Sequence, residues 1–199
     1  MNDLPIILAS GSASRRALLA NAGVEAMSIS PNVDEDSAKL SMRAQQLPIR
    51  DQAMHLAELK GKKVSSHERG LVIAGDQMLA LGDRAFDKPK NLGEARAHLL
   101  ALSGQTHILE TAIVVFEDGA PVWRHLARPK LTMRALSDEF IQSYLDEVGD
   151  QVLQTVGAYQ LESIGSQLFT KIEGDYFSIL GLPLLPLLDY LRVRGVLEA

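Results

Sequence analysis

Two apolar stretches, Thr106 to Glu117 and Pro121 to Arg128, flank the dipeptide Asp118-Gly119. Asp-Gly between two such runs is a strong signal for a tight hairpin, because both turn residues are called on to take positive φ. A hairpin makes its strands antiparallel. The rest of the chain alternates short apolar runs with helical patterns, which alone would build a parallel sheet. One class meets both demands: an α/β protein with a mixed, twisted sheet and flanking helices on its faces.

The remaining elements follow from spacing. Pro5 to Ala9 reads as a short buried strand, and Ser14 to Asn21 as a helix with Gly23 at its stop. Ala26 to Ser30 is expected to be a second strand, ended by Pro31. Residues 32 to 44 are polar, carry Asp34, Glu35 and Asp36, and read as a loop. Pro48 suits a first helical turn, and Ala53, Leu56, Ala57 and Lys60 carry that helix to about Val64. Leu71 to Ala74 is a continuous apolar run ending at Gly75-Asp76, a buried strand with an acid at its carboxyl end. Asn91 to Leu102 reads as a helix with Leu92, Ala95, Leu99 and Leu102 on one face, and Asn91 and Glu94 have capping-box spacing. Lys130 to Ala135 adds a strand, and Ser137 caps a helix to about Val148. Thr155 to Ile172 reads as strand and turn, and Pro183 to Val193 as the last helix.

With 199 residues and 46% hydrophobic composition, the chain has material for an ordinary core in one domain or two small lobes. The net charge of −5 argues against bulk nucleic-acid binding, which relies on a basic surface. There are no cysteines, so disulfides, thiol chemistry and cysteine zinc sites are excluded. The start, Met1-Asn2-Asp3-Leu4-Pro5, has no basic leader region. The most apolar segment, Phe177 to Leu188, is broken by Gly181, Pro183 and Pro186, and is shorter than the ~20 residues of a membrane helix. The expectation is a soluble, cytoplasmic protein.

The stretch "LASGSASRRALL" joins a strand, a turn of small residues and a helix. That order makes an anion site: free N–H groups at the helix start point outward, and small residues let a phosphate approach the backbone. Serine hydroxyls add donors, and arginine adds a forked, permanent cation. Arg15 and Arg16 point about 100° apart on a helix, so one faces a ligand while the other pairs elsewhere or lies on the surface. The segment is neither a P-loop nor a G-x-G-x-x-G fingerprint. Asp76 ends an apolar strand, where open α/β sheets bind ligands. Asp34, Glu35 and Asp36 follow another strand. Carboxylates converging on phosphate suit Mg²⁺ or Mn²⁺, and Lys60 and Lys88 would neutralise phosphate oxygens. Each of these charges, taken alone, has a plainer alternative as a solvated surface group. The five histidines show no metal-ligand spacing, and Trp123 reads as core packing.

Seven segments, "LASGSASRRALL", "SPNVDE", "LAELKGKKV", "VIAGDQ", "DKPKNLGEARAHLLALSGQTH", "VGAYQLESIG" and "IEGDYFSILGLPL", occur in the order seen in Maf proteins, nucleoside triphosphate pyrophosphatases. The chain resembles that family from about residue 5 to residue 190. The resemblance implies a single Maf-like domain over residues 1–199. It implies an elongated mixed sheet in two lobes with the nucleotide in the cleft between them, related to the inosine triphosphatase fold. The implied reaction converts a nucleoside triphosphate and water to the monophosphate and pyrophosphate with a divalent metal, Mg²⁺ or Mn²⁺. By motif matching, Ser12 and Arg15 correspond to the phosphate-loop serine and arginine, and Glu35 to the acidic residue near the metal. Lys60 corresponds to the helix lysine, Asp76 to the catalytic aspartate, set at the attacking water or at the metal, and Lys88 to the phosphate-side lysine. Ser14, Gln77 and Glu162 stand at the positions associated with base choice.

The chain departs from the family pattern in informative places. Many members have Asp-Thr where Asp76-Gln77 stands, and glutamine where Glu162 stands. The combination here is similar to the branch acting on 7-methyl-GTP rather than the branch acting on dTTP and UTP. That branch often has a bulky aromatic at the place of Ser14, and the common Lys-Ala-Gly is here Thr155-Val156-Gly157. A 7-methylguanine ring is cationic and would be attracted by the Glu162 carboxylate, whereas a neutral amide suits an uncharged base. If buried, Glu162 needs that partner or water. Two alternatives stay open: dTTP or UTP hydrolysis by the same chemistry, and a non-catalytic nucleotide-binding regulator of cell division. The implied partner is the nucleotide, not nucleic acid or membrane, and homodimers occur in the family. Asp76 is expected either to deprotonate water or to hold the metal.

Overall fold

The computed structural model describes residues 4–198; the first three residues and the last one lie outside them. The hairpin forms at the expected place. Asp118 and Gly119 take φ of 49° and 78°, and β5 (Thr106–Glu117) runs antiparallel to β6 (Ala120–Ala127) with Val115 opposite Trp123. The parallel part is also present. The strand β1 (Ile6–Ala9) lies parallel to both β2 (Met27–Ser28) and β3 (Leu71–Leu81). The pairings of β4 (Arg84–Phe86), β7 (Lys130–Met133) and β8 (Phe169–Glu173) are antiparallel. Among the described residues these make one mixed sheet of order β2-β1-β3-β5-β7-β8, with β4 on β3 and β6 on β5. Seven α-helices among the described residues accompany it.

The chain divides into two units, and β3 and β5 contribute residues to both. The first comprises Met1–Asp76, Thr111–Ala127 and Asp175–Ala199. Its core sets Leu8, Ile73, Ile113 and Val115 of the strands against Leu18 and Leu19 of α1 (Ala13–Asn21). Leu184, Leu187 and Leu191 of α7 (Leu184–Val193) join the same cluster. Each such side chain, fully buried, contributes on the order of 1.5–3 kcal/mol. The second unit comprises Gln77–Glu110 and Arg128–Gly174. There α4 (Leu92–Leu102) buries Ala95, Leu99 and Leu102 and packs on α5 (Asp138–Val148), which buries Ile141, Tyr144 and Leu145. The expected caps are present: Asn91 accepts from Glu94 N–H at 2.9 Å, and Ser137 from Phe140 N–H at 3.2 Å.

Two expectations are corrected. Residues 32–44 are not a loop, because α2 (Glu35–Ala44) forms there. Asp34 accepts from Ser37 N–H at 3.0 Å, Glu35 and Asp36 occupy the first turn and Arg43 the last, all favourable at a helix's charged ends. Only Met42 of this helix is buried and Leu40 is 68% exposed, so no apolar stripe marks it. Nor does the central strand end at Gly75-Asp76. It continues to Leu81, because Met78, Leu79 and Ala80 are buried in turn, and Asp76 lies in mid-strand. Thr155 to Ile172 holds turn and strand as expected, with two 3-10 turns (Val156–Ala158 and Ile164–Leu168) first and the strand from Phe169. A short helix, α6 (Tyr176–Ile179), and the first helix α3 after the acidic segment (Ile49–Ser65) complete the order.

Candidate active site

The turn between β1 and α1 is tied together by serines. Ser10 Oγ accepts from Ser12 N–H at 3.2 Å, and Ser12 caps α1 by accepting from Arg15 N–H at 3.4 Å. Ser14 is half-buried in the first helical turn. The two arginines separate as their 100° offset requires. Arg16 is exposed, whereas Arg15 is 9% exposed. Arg15 Nε donates to the Gly181 carbonyl at 2.7 Å and Nη1 to Ser10 Oγ at 3.2 Å. Burial pulls its pKa down from the ordinary value, opposed by the charges of Asp76 and Glu35. A guanidinium stays cationic through such a change.

Lys60 comes from α3, which approaches the sheet closely at the next residue. A Cβ at Gly61 would run into the Phe116 ring and lie 3.1 Å from the Ala74 Cβ, so only glycine permits this contact. Lys60 Nζ then donates to Asp76 Oδ1 at 2.6 Å and lies 2.9 Å from Glu35 Oε1. Glu35 is delivered by the first turn of α2, the helix that the sequence hides. The Lys60 and Asp76 side chains are each 9% exposed, and that of Glu35 is 39% exposed. Burial drives the Asp76 carboxyl above the usual carboxylate range. Lys60 and Arg15 pull it back, and Glu35 pushes it further up. The cluster of Arg15, Lys60, Asp76 and Glu35 therefore balances two cations against two anions, with only Glu35 reaching well into solvent, and charge–charge interactions among the three buried groups are strong.

The donor set fits a hard divalent cation. Mg²⁺ is commonly held by one or two carboxylates, with water and substrate phosphate completing its shell. Among the described residues no group of three or more His, Cys, Asp or Glu side chains is arranged for a metal; the carboxylates that meet at Lys60, Asp76 and Glu35, are the two that could contribute oxygen ligands. No histidine joins the cluster among the described residues; buried His107 of the second unit bonds Tyr159 OH at 2.7 Å, and burial takes its pKa down to about 4. Of the remaining sequence-assigned residues, Gln77, Lys88 and Glu162 belong to the second unit. Gln77 is half-buried in β3 beside Asp76, while Lys88 and Glu162 are exposed. Glu162 thus has water as the partner its charge requires. Two participants escaped the sequence reading, the Ser10 hydroxyl and the Gly181 carbonyl. Ser10 was one of several small residues in its turn, and a backbone oxygen carries no residue-type signal at all.

A buried lysine between two carboxylates thus lies beside an arginine at a strand–turn–helix junction of a mixed α/β sheet. The chain belongs to the Maf-like protein family, whose model matches residues 5–194. It is 68% identical over 195 residues to a nucleoside triphosphate pyrophosphatase of Hyphomonas neptunium, covering 98% of each chain. It is 54% identical over 194 residues to one of Rhodospirillum rubrum, covering 97% of this chain and 96% of that one. A 7-methyl-GTP pyrophosphatase of Mesorhizobium japonicum is 48% identical over 194 residues, covering 97% of this chain and 98% of its own.

Proposed function

We propose that this chain hydrolyses nucleoside triphosphates to the monophosphate and pyrophosphate, and that 7-methyl-GTP is its preferred substrate. The observation that carries the reaction is the Asp76–Lys60–Glu35 contact beside buried Arg15. Relatives named for both activities, at full-length coverage, support it. A divalent cation held by Asp76 and Glu35 would supply Lewis-acid neutralisation of phosphate oxygens. Arg15 and Lys60 bind and orient the triphosphate, Ser12 lines the turn that receives it, and Lys88 is assigned to a further phosphate contact. Asp76 accepts the proton of the attacking water or holds the metal. Its raised pKa brings it nearer the working pH, which favours proton acceptance. The water oxygen bonds to the α-phosphorus, the bridging bond to the β-phosphate breaks, and pyrophosphate leaves with that electron pair. Positioning and charge neutralisation supply most of the acceleration, as in phosphoryl transfer generally.

Free nucleotide rather than nucleic acid is the partner, in keeping with a net charge of −5. The proposal includes a cytoplasmic setting and a homodimer of the kind the family forms. No helix among the described residues is long and apolar enough to cross a membrane.

Base choice is assigned to Glu162, Gln77 and Ser14. A comparison of kcat/KM for 7-methyl-GTP, GTP, dTTP and UTP should place 7-methyl-GTP first. Glu162→Gln keeps the size and one acceptor but drops the charge, and should erode the preference over GTP. A charge-assisted contact is worth about 1.5–3 kcal/mol, and ~1.4 kcal/mol is tenfold. Glu162 is exposed, so screening places the change near the lower end, about tenfold. A wild type that prefers dTTP or UTP overturns the methylguanine assignment and leaves the pyrophosphatase reaction standing.

A further inference from the structure

Arg15 is anchored from a distant part of its own unit. The Gly181 carbonyl that accepts from its Nε at 2.7 Å lies 166 positions along the chain. That carbonyl ends a short, internally bonded turn. Asp175 caps α6, accepting from Ser178 N–H at 2.9 Å and from the Ser178 hydroxyl. The Ser178 carbonyl accepts from Gly181 N–H at 3.1 Å and from the Thr111 hydroxyl of β5 at 3.0 Å. Gly181 itself has φ +99°, which an L side chain reaches only with strain. Space is not the reason for glycine, since a Cβ there would meet nothing nearer than the Arg15 guanidinium at 3.6 Å. The backbone angle that aims the carbonyl is the reason.

We propose that residues 175–181 are a positioning element for the phosphate-binding arginine. With Nε held by Gly181 and Nη1 by Ser10, the plane of the guanidinium is fixed before substrate arrives. Its remaining N–H groups then meet a triphosphate without an ordering cost, which is how a preorganised fork differs from a flexible ammonium. The proposal rests on the reading of Arg15 as a triphosphate ligand. Gly181 and Thr111 touch no substrate in this account; they act through Arg15.

The test is a double-mutant cycle in the full-length protein, with Gly181→Ala and Arg15→Lys made singly and together. Gly181→Ala should lower kcat/KM by about 10- to 100-fold, the range for losing a hydrogen bond to a charged group. Arg15→Lys keeps the charge but has no Nε–H, so in that background Gly181→Ala should cost less than about threefold. Part of any loss of melting temperature should likewise disappear beside Arg15→Lys, because the bond from Nε to the Gly181 carbonyl is present in the free protein, and the rest reports strain at φ +99°. Equal kinetic costs in the two backgrounds would overturn the proposal and leave the turn a structural one. If Gly181→Ala does not fold, Thr111→Val takes its place, with an expected loss of about 3- to 10-fold that likewise vanishes beside Arg15→Lys. An Arg15→Ala enzyme within a few-fold of wild type would instead remove Arg15 from substrate binding, a separate failure with its own signature.

Discussion

Asp76→Asn should lower turnover at least ~100-fold while the protein still folds. The amide keeps the shape and still accepts from Lys60 through Oδ1, where the carboxylate does so at 2.6 Å. It has neither the basicity to take a proton from water nor the charge to hold a divalent cation. The fold should survive, because two effects on stability oppose each other. The attraction to Lys60 and Arg15 is lost, but so is the burial penalty that holds the Asp76 carboxyl above its ordinary range. Lys60 also keeps Glu35 at 2.9 Å. Steady-state kinetics at saturating Mg²⁺ and Mn²⁺, alongside a thermal melt, measure both effects. The wild type should further show an acidic limb in kcat/KM above the usual carboxylate range, since Asp76 must be ionised to act. Turnover of Asp76→Asn within a few-fold of wild type would remove Asp76 from the centre of the mechanism.

Lys60→Met should be the most destabilising change in the cluster, and its effect should depend on pH. Methionine fills the place of the lysine stem but leaves Asp76, 6% exposed, without its nearest counter-charge. Removing one partner of a buried ion pair costs about 3–5 kcal/mol, and the lower figure applies here because Arg15 still offsets part of the charge. The Asp76 pKa is already raised and should rise further in the variant. A carboxyl whose folded pKa lies above its unfolded value binds its proton more tightly in the folded state, so stability falls as pH rises through that window. The loss in Lys60→Met should therefore be full at pH above the raised value and shrink as the pH falls through it. Urea unfolding of wild type and variant at about pH 8 and pH 5 compares the two regimes. An equal loss at both pH values, or one below about 1 kcal/mol, contradicts the buried-pair account. Activity should fall as well, since the cation assigned to the triphosphate in the proposed mechanism is gone.

The parts of the fold that follow from periodicity and turn chemistry were readable from residues. Asp118-Gly119 predicted a hairpin and formed one with both φ positive. Asn91 and Ser137 predicted helix starts and cap them. The helix over residues 35–44 was not readable in this way, because it is held by its ends and buries only Met42. Its start had a signal, Asp34 three residues before Ser37, that polarity overshadowed. The continuation of β3 past Asp76 was hidden for a different reason. Gly75-Asp76-Gln77 reads as a break, yet Met78 to Ala80 are as buried as Leu71 to Ala74. Of the site, the resemblance named Arg15, Lys60, Asp76 and Glu35, and the fold brings these four together. The anchoring of Arg15 by a backbone carbonyl could not be read from residue types, because it depends on a φ angle and on a contact across 166 positions.

The central claim is attack by water at the α-phosphorus with pyrophosphate as the leaving group. Hydrolysis in oxygen-18 water, with 7-methyl-GTP and GTP as substrates and Mg²⁺ present, tests it most directly. Phosphorus NMR and mass spectrometry of the products locate the label. The account predicts one labelled oxygen in the nucleoside monophosphate, unlabelled pyrophosphate in equal amount, and no orthophosphate. Label in pyrophosphate or orthophosphate, or release of a nucleoside diphosphate, would contradict it.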